Sequence, residues 1–186
     1  MKIMTFTSSA DFRSWLAKNH GQSDGILLRI YKKDSGVSSV TYAEALDQAL
    51  CFGWIDGQKK PNDNQSWLQK FTPRRPKSGW SKNNTRHAER LIKTGEMAPS
   101  GLKEVKAAKA DGRWKAAYES FASAVVPDDF IKELARNKKA NAFFETLNKT
   151  NLYSIAYRLQ TAKTPETKQK RTQAIIEKLA RGEKFH

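Results

Sequence analysis

Residues 50–84 read LCFGWIDGQKKPNDNQSWLQKFTPRRPKSGWSKNN and carry the strongest fold signal in the chain. Two runs rich in β-forming residues, at 54–59 and 66–72, flank the turn-forming residues PNDN at 61–64. A turn of this composition between two strand-forming runs predicts an antiparallel hairpin.

Signals for further strands and helices lie on both sides of the hairpin. Residues 25–33, GILLRIYKK, are typical of a strand, and Thr41 with Glu44 forms a T-x-x-E capping box that predicts the start of a helix. Ser81 is a predicted N-cap, and after it apolar residues recur at helical spacing. We therefore predict an α+β fold, in which a small antiparallel sheet of about three strands packs with helices and a C-terminal bundle of four helices follows.

The pattern also predicts where the chain divides. Residues 121–127, FASAVVP, are typical of a connection, because Pro127 biases Val126 away from helical geometry. We predict an α+β core at 1–126, which contains the central Trp/Arg-rich block, and a helical subdomain at 127–186.

The charge of the chain limits the classes of partner. The 186 residues carry a formal net charge of +15. A surface this basic attracts anions, so the partners we expect are an anionic or phosphorylated ligand and, weakly and without sequence preference, nucleic acid. No pattern in the sequence indicates a particular protein partner.

The cysteine count and the apolar runs of the sequence predict the cellular location. The single cysteine, Cys51, cannot form an internal disulfide. No run approaches the ~20 apolar residues of a membrane helix, and the first residues lack the apolar core of a signal peptide. We expect a cytoplasmic protein that does not insert into membranes.

The central block has the composition of an anion site. Residues 58–90 contain nine Lys or Arg and two Asp or Glu. Arg74 and Arg75 lie between two prolines that stiffen the backbone, and a guanidinium binds phosphate or carboxylate through two hydrogen bonds or stacks on an aromatic ring. Free N–H groups at a helix start near Ser81 also favour an anion. We predict an anion site with an aromatic wall, formed by Trp54, Asp56, Lys59, Arg74, Arg75, Trp80, Ser81, Lys82 and Asn83.

Each part of this site has a structural alternative. Tryptophans in such a block often pack in the core, because aromatic side chains bury a large area. Arg74 and Arg75 can also pair with Asp56 and Glu89, since structural ion pairs and binding sites look alike in a sequence. Both interpretations remain open at this point.

An enzyme would depend on Cys51, Asp56 or His87. Cys51 lies on the apolar stripe of a predicted helix, which favours an inert core thiol. The other histidines, His20 and His186, are far away in the sequence and lack metal-ligand spacing, and no phosphate loop or nucleophile motif occurs. We predict neither a metal nor another cofactor, and catalysis has no positive support.

Several segments resemble one bacterial family. ALCFGWIDGQKK at 49–60, FTPRRPKSGWSKNN at 71–84, LIKTGEMAPSGL at 91–102 and AFFETLNKTNLYSIAYRLQTAKTPETKQKRTQAIIEKLARG at 142–182 are similar to the YdeI/OmpD-associated family, also labelled bacteriocin-protection proteins. The resemblance implies a role in stress or antimicrobial tolerance, with an unassigned biochemical activity and an association with an outer-membrane porin.

Together these observations predict a non-enzymatic, cytoplasmic binding protein that takes an anionic ligand at the Trp/Arg block. One alternative is a nucleic-acid-binding protein that uses the whole basic surface. Another is an enzyme centred on Asp56, with an unassigned reaction.

Overall fold

The computed structural model describes residues 1–119 and 124–185. The chain divides into two compact units, Met1–Ala117 and Tyr118–His186. The predicted connection at 121–127 lies partly outside the described residues, and the predicted boundary at 126–127 stays a prediction.

The first unit combines a sheet with helices. Its sheet contains β1 to β4 and its helices are α1 to α4, with a short 3-10 turn after β2. In chain order the elements are β1 Lys2–Met4, α1 Ser9–Asn19, β2 Ile26–Tyr31, the turn Lys33–Ser35, α2 Tyr42–Cys51, β3 Trp54–Pro61, β4 Ser66–Pro73, α3 Lys82–Lys93 and α4 Pro99–Ala110.

The sheet has four strands in the order β1-β2-β4-β3, so the prediction of about three strands is corrected. The three predicted strands pair antiparallel, whereas β1 pairs parallel with β2, from Lys2 opposite Ile26 to Met4 opposite Leu28. The sequence did not reveal β1 because three residues are too few to show a strand periodicity.

The predicted hairpin forms β3 and β4. Trp54 lies opposite Pro73, and Pro61 lies opposite Trp67. The register shifts between Asp56 and Lys59, as in a β-bulge, and such a bulge turns the side chains that follow it. Beyond the bulge β3 is an exposed edge strand, whose lysines and proline discourage pairing with another chain.

The core of the first unit lies where helices α1 and α2 cover the sheet. Phe12 and Leu16 of α1 pack with Leu28 of β2 and Phe71 of β4, and all four are fully buried. The predicted capping box starts α2: the Thr41 side chain accepts from the Glu44 backbone, and the Glu44 side chain accepts in return.

The second unit is helical, as predicted. Asn148 and Thr164 cap two of its helices, and each side chain accepts a backbone N–H three residues later. The prediction of an α+β fold is therefore confirmed, and the described residues hold eight α-helices in all. The helices of this unit are α5 Asp128–Leu134, α6 Lys138–Phe144, α7 Lys149–Gln160 and α8 Pro165–Ala180.

Candidate functional site

The two tryptophans expected to form an aromatic wall lie in the core. Trp54 is 1% exposed, and its indole Nε1–H donates to the backbone oxygen of His20 at 3.1 Å. Trp80 is 2% exposed, and its ring centroid lies 4.8 Å from that of Trp114. Rings buried to this extent stabilise the core, so both tryptophans have the packing role given as the alternative to a ligand-binding wall.

Arg74 is also buried, although it is cationic. Its side chain is 7% exposed, and the guanidinium carbon lies 3.5 Å from the centroid of the Trp80 ring. One Nη1–H donates to the backbone oxygen of Gly79 at 3.0 Å. These contacts hold the segment between β4 and α3 in place through a cation–π interaction.

Three other predicted site residues are exposed at the start of α3 or in the segment that precedes it. They are Arg75, Lys82 and Asn83. The Ser81 hydroxyl accepts the backbone N–H of Asn84 at 3.1 Å, which makes Ser81 the N-cap that the sequence predicts. This end of α3 therefore presents cations and an amide to solvent, with the capping hydroxyl already engaged.

Asp56 lies beside a tyrosine. Its Oδ2 accepts a hydrogen bond from the hydroxyl of Tyr42 at 2.8 Å. Burial raises the pKa of Tyr42, and the Asp56 carboxylate adds to that effect, so the tyrosine stays protonated as the donor. Within the described ranges Asp56 forms no ion pair, so the alternative pairing with Arg74 or Arg75 is absent.

Lys59 lies in a groove near the turn of the hairpin. The ammonium nitrogen of Lys59 is 4.4 Å from the centroid of the Trp67 ring, and Lys32 donates to the backbone oxygen of Asn64 at 2.8 Å. We call this feature the hairpin groove. It encloses about 380 Å³ and is lined by Lys32, Lys59, Pro61, Asp63, Ser66 and Trp67.

One carboxylate borders the hairpin groove, but it has its own partners. Asp63 Oδ2 accepts from Nη2 of Arg29 at 2.6 Å, and Oδ1 accepts from the Ser66 hydroxyl at 2.8 Å. The Ser66 hydrogen bond is the main reason that the pKa of Asp63 is lowered. Arg29 offsets this negative charge, so the two lysines give the groove a positive balance.

Sequence reasoning missed Trp67 and Lys32 as site residues. Strand alternation placed Trp67 on the same side as Phe71, but Phe71 is fully buried while Trp67 is half-buried. The register of the predicted hairpin could have shown that Lys59 lies beside Trp67. Pro61 lies opposite Trp67, so Lys59, two residues before Pro61, is the diagonal neighbour of Trp67 on the same face.

The residues considered for catalysis have separate partners. Nδ1 of His87 lies 2.7 Å from Oδ1 of Asp47, and Nη2 of Arg90 donates to Oδ2 of the same carboxylate at 2.5 Å. Cys51 is fully buried, and burial raises the pKa of its thiol. In residues 1–119 and 124–185 no group of three or more His, Cys, Asp or Glu is placed to hold a metal ion, and His186 lies outside these ranges.

Two family models match the chain, one in each unit. The protein is basic in composition and consists of an α+β unit and a helical unit. Residues 4–104, more than half of the chain, match a domain of unknown function, DUF8412. Residues 123–182 match the family described as bacteriocin-protection, YdeI or OmpD-associated, which confirms the resemblance.

The chain therefore belongs to the DUF8412 family, and its C-terminal part is similar to the YdeI/OmpD-associated family. The CFGWIDG and TPRRP segments fall in the DUF8412 match, so the bacteriocin-protection match is confined to the C-terminal part. Neither a curated protein nor a solved structure matches the chain. Among the described helices, none has the length and apolar character needed to span a membrane.

Proposed function

We propose that this protein is a non-enzymatic binding protein for an anionic ligand and that the hairpin groove is its ligand site. The observation that carries the proposal is the position of the Lys59 ammonium group over the Trp67 ring, in a groove that Lys32 also lines. Two ammonium groups beside an aromatic surface suit a phosphorylated or carboxylated ligand.

The groove has the dimensions of a small-molecule site. Its volume of about 380 Å³ falls at the lower end of the ~300–1,000 Å³ that ligand pockets occupy. Lys59 is exposed, so its ammonium group can leave the indole face and follow an incoming anion without unfolding the strand. Lys32 also lines the groove, and its ammonium group donates to the backbone oxygen of Asn64.

The remaining predicted site residues have two proposed roles. Trp54, Arg74, Trp80 and Ser81 support the hairpin and the start of α3 from within. Arg75, Lys82 and Asn83, with Asp56 nearer on β3, contact only a ligand long enough to extend along the hairpin. From Trp67 to Pro73 the strand covers about 20 Å, so a small anion does not reach both ends.

The cellular setting is part of the proposal. The bacteriocin-protection description belongs to the family of residues 123–182, and it supports a role in stress or antimicrobial tolerance. A cytoplasmic location agrees with a fold whose one cysteine is a buried thiol, because such a fold needs no oxidising compartment.

Nucleic acid is the second candidate ligand, favoured by the net charge of +15. In this alternative the whole basic surface contacts phosphates without reading bases. Catalysis at Asp56 has less support, because its carboxylate is engaged by the Tyr42 hydroxyl.

Lys59→Glu tests the proposal against Lys60→Glu. Lys60 is the next residue of the strand, is also exposed and points to the opposite face, and both substitutions change the net charge by the same amount. Titration calorimetry with inorganic pyrophosphate should show saturable binding that Lys59→Glu weakens about tenfold and Lys60→Glu leaves almost unchanged. Equal losses in both variants, or no saturable binding by the unaltered protein, would refute the site.

A further inference from the structure

A second groove lies in the helical unit, between α7 and α8, and involves none of the residues discussed so far. We call it the α7–α8 groove. It encloses about 330 Å³, and Arg158, Arg171, Lys178, Tyr157 and Phe185 are among its lining residues. The lining contains three cations and two aromatic rings, and none of its residues is acidic.

The cations are gathered around one ring. The guanidinium carbon of Arg158 lies 4.8 Å from the centroid of Phe185, and the ammonium nitrogen of Lys178 lies 5.0 Å from it. The backbone N–H of Phe185 donates to Oδ1 of Asn151 at 2.9 Å, which anchors the ring over the two helices. Both cations therefore lie within 5.0 Å of the same ring centroid, and an anion bound by both lowers the repulsion between them.

The third cation is fixed by the end of α7. One Nη1–H of Arg171 donates to the backbone oxygen of Arg158 at 2.6 Å and to the Thr161 hydroxyl at 3.2 Å. These hydrogen bonds use one side of the guanidinium and set its orientation. A guanidinium held in this way is pre-organised, so less side-chain entropy is lost when an anion binds.

An aromatic surface adjoins the cations. Tyr157 is 39% exposed, and its ring is positioned by Tyr153, whose centroid lies 6.0 Å away, and by Tyr118, whose centroid lies 5.0 Å away. A tyrosine with a fixed ring and an exposed surface is suited to stacking against a planar ligand group.

Charged residues near the α7–α8 groove but outside its lining do not cancel the positive field of its three cations. Glu183 forms an ion pair with Arg181 at 2.8 Å, and that hydrogen bond is the main cause of the lowered pKa of Glu183, with Lys178 contributing less.

A larger groove of about 780 Å³ between α5 and α8 differs from the α7–α8 groove in its charges. It has acidic and basic residues in its lining, and Lys168 and Asp129 form an ion pair there.

We propose that the α7–α8 groove binds a nucleotide unit, with the phosphate between Arg158, Arg171 and Lys178 and the base against Tyr157. The shared chemistry is a phosphate attached to a planar aromatic base, supplied either by a free nucleotide or by single-stranded nucleic acid. This site is distinct from the hairpin groove, because the two share no lining residue and lie in different units.

The test uses the full chain with adenosine monophosphate (AMP) at about 150 mM salt, where non-specific charge interactions are screened. Calorimetry should show saturable binding, tighter than that of inorganic phosphate and of adenosine alone. Lys178→Glu should weaken AMP binding about tenfold, and Lys178→Arg should retain it. Lys170→Glu is the matched control, because it makes the same charge change at an exposed position of the same helix outside the groove.

Comparison with an octadeoxyadenylate strand identifies the source of the nucleotide unit. Tighter binding of the strand than of AMP assigns the groove to single-stranded nucleic acid, and the reverse assigns it to free nucleotides. Absence of saturable binding for both, or equal losses in Lys178→Glu and Lys170→Glu, would overturn the proposal. Lys59→Glu should leave AMP binding unchanged, so this site and the hairpin groove can fail separately.

Discussion

Adjacent residues of the same type have opposite environments in the segment after β4. Arg74 is 7% exposed and stacks on Trp80, whereas Arg75 is exposed. The sequence gives both the same proline-flanked setting, so only the fold distinguishes them. A buried guanidinium contributes to stability through its packing as well as its charge. Substituting each of the two arginines in turn therefore tests whether Arg74 holds this segment in place.

Arg74→Ala should lower the free energy of unfolding by about 2 kcal/mol, because it removes a buried cation–π contact together with the packing of the side-chain stem. Arg75→Ala should change it by less than about 0.5 kcal/mol, as exposed substitutions usually do. Urea denaturation followed by tryptophan fluorescence measures both. Equal effects would show that Arg74 does not have the structural role assigned to it.

At the scale of elements, α4 crosses the end of α2 at one glycine. A Cβ added to Gly101 would lie 2.3 Å from the backbone oxygen of Cys51 and 2.7 Å from that of Leu50. Backbone oxygens at the end of a helix cannot move aside as a flexible side chain can. The close approach of the two helices therefore depends on the missing side chain.

Gly101→Ala should destabilise the protein by about 2 kcal/mol or more, through forced separation of α2 and α4. The sign of this change in stability is informative, because alanine in a helix interior is otherwise favoured over glycine by about 1 kcal/mol. Gly21→Ala is the control: nothing lies within 4 Å of its added Cβ, and its backbone is not left-handed.

Thermal unfolding monitored by circular dichroism compares the two glycine variants. A melting temperature of Gly101→Ala equal to or above that of Gly21→Ala would contradict the tight crossing.

Elements with local signals were predicted, and features that depend on packing were not. The Thr41 cap, the Ser81 cap and the hairpin all follow from residues a few positions apart, so the sequence contained them. The burial of Trp80 and the partial exposure of Trp67 depend on how the helices pack on the hairpin and on the segment after it. The prediction of an aromatic wall therefore named tryptophans of this block without distinguishing core from surface.

At the scale of the whole molecule, the excess of positive charge dominates. The net charge of +15 is spread over both units, and the two proposed grooves each concentrate part of it beside an aromatic ring. A field of this strength attracts any polyanion, so it cannot by itself create specificity. Specific binding has to come from the arrangement of groups within a groove.

We predict weak binding to duplex DNA of mixed sequence at low ionic strength, because neutralised phosphates release counterions whatever the bases are. Fluorescence anisotropy with two unrelated duplexes should give similar affinities, and binding should be lost as salt approaches about 150 mM. Sub-micromolar affinity that persists at this salt concentration, with tenfold preference for one duplex, would make nucleic-acid recognition the leading function instead.

The most direct test of the central claim, anion binding in the hairpin groove, is a nuclear magnetic resonance titration of the tryptophan indole N–H signals. The chain has five tryptophans, and Trp67→Phe and Trp80→Phe assign the two signals that matter. With inorganic pyrophosphate at about 150 mM salt, the account predicts a saturable shift of the Trp67 signal while the buried Trp80 signal stays in place. A saturable shift of Trp80 without one of Trp67, or no saturable shift of either, would contradict it.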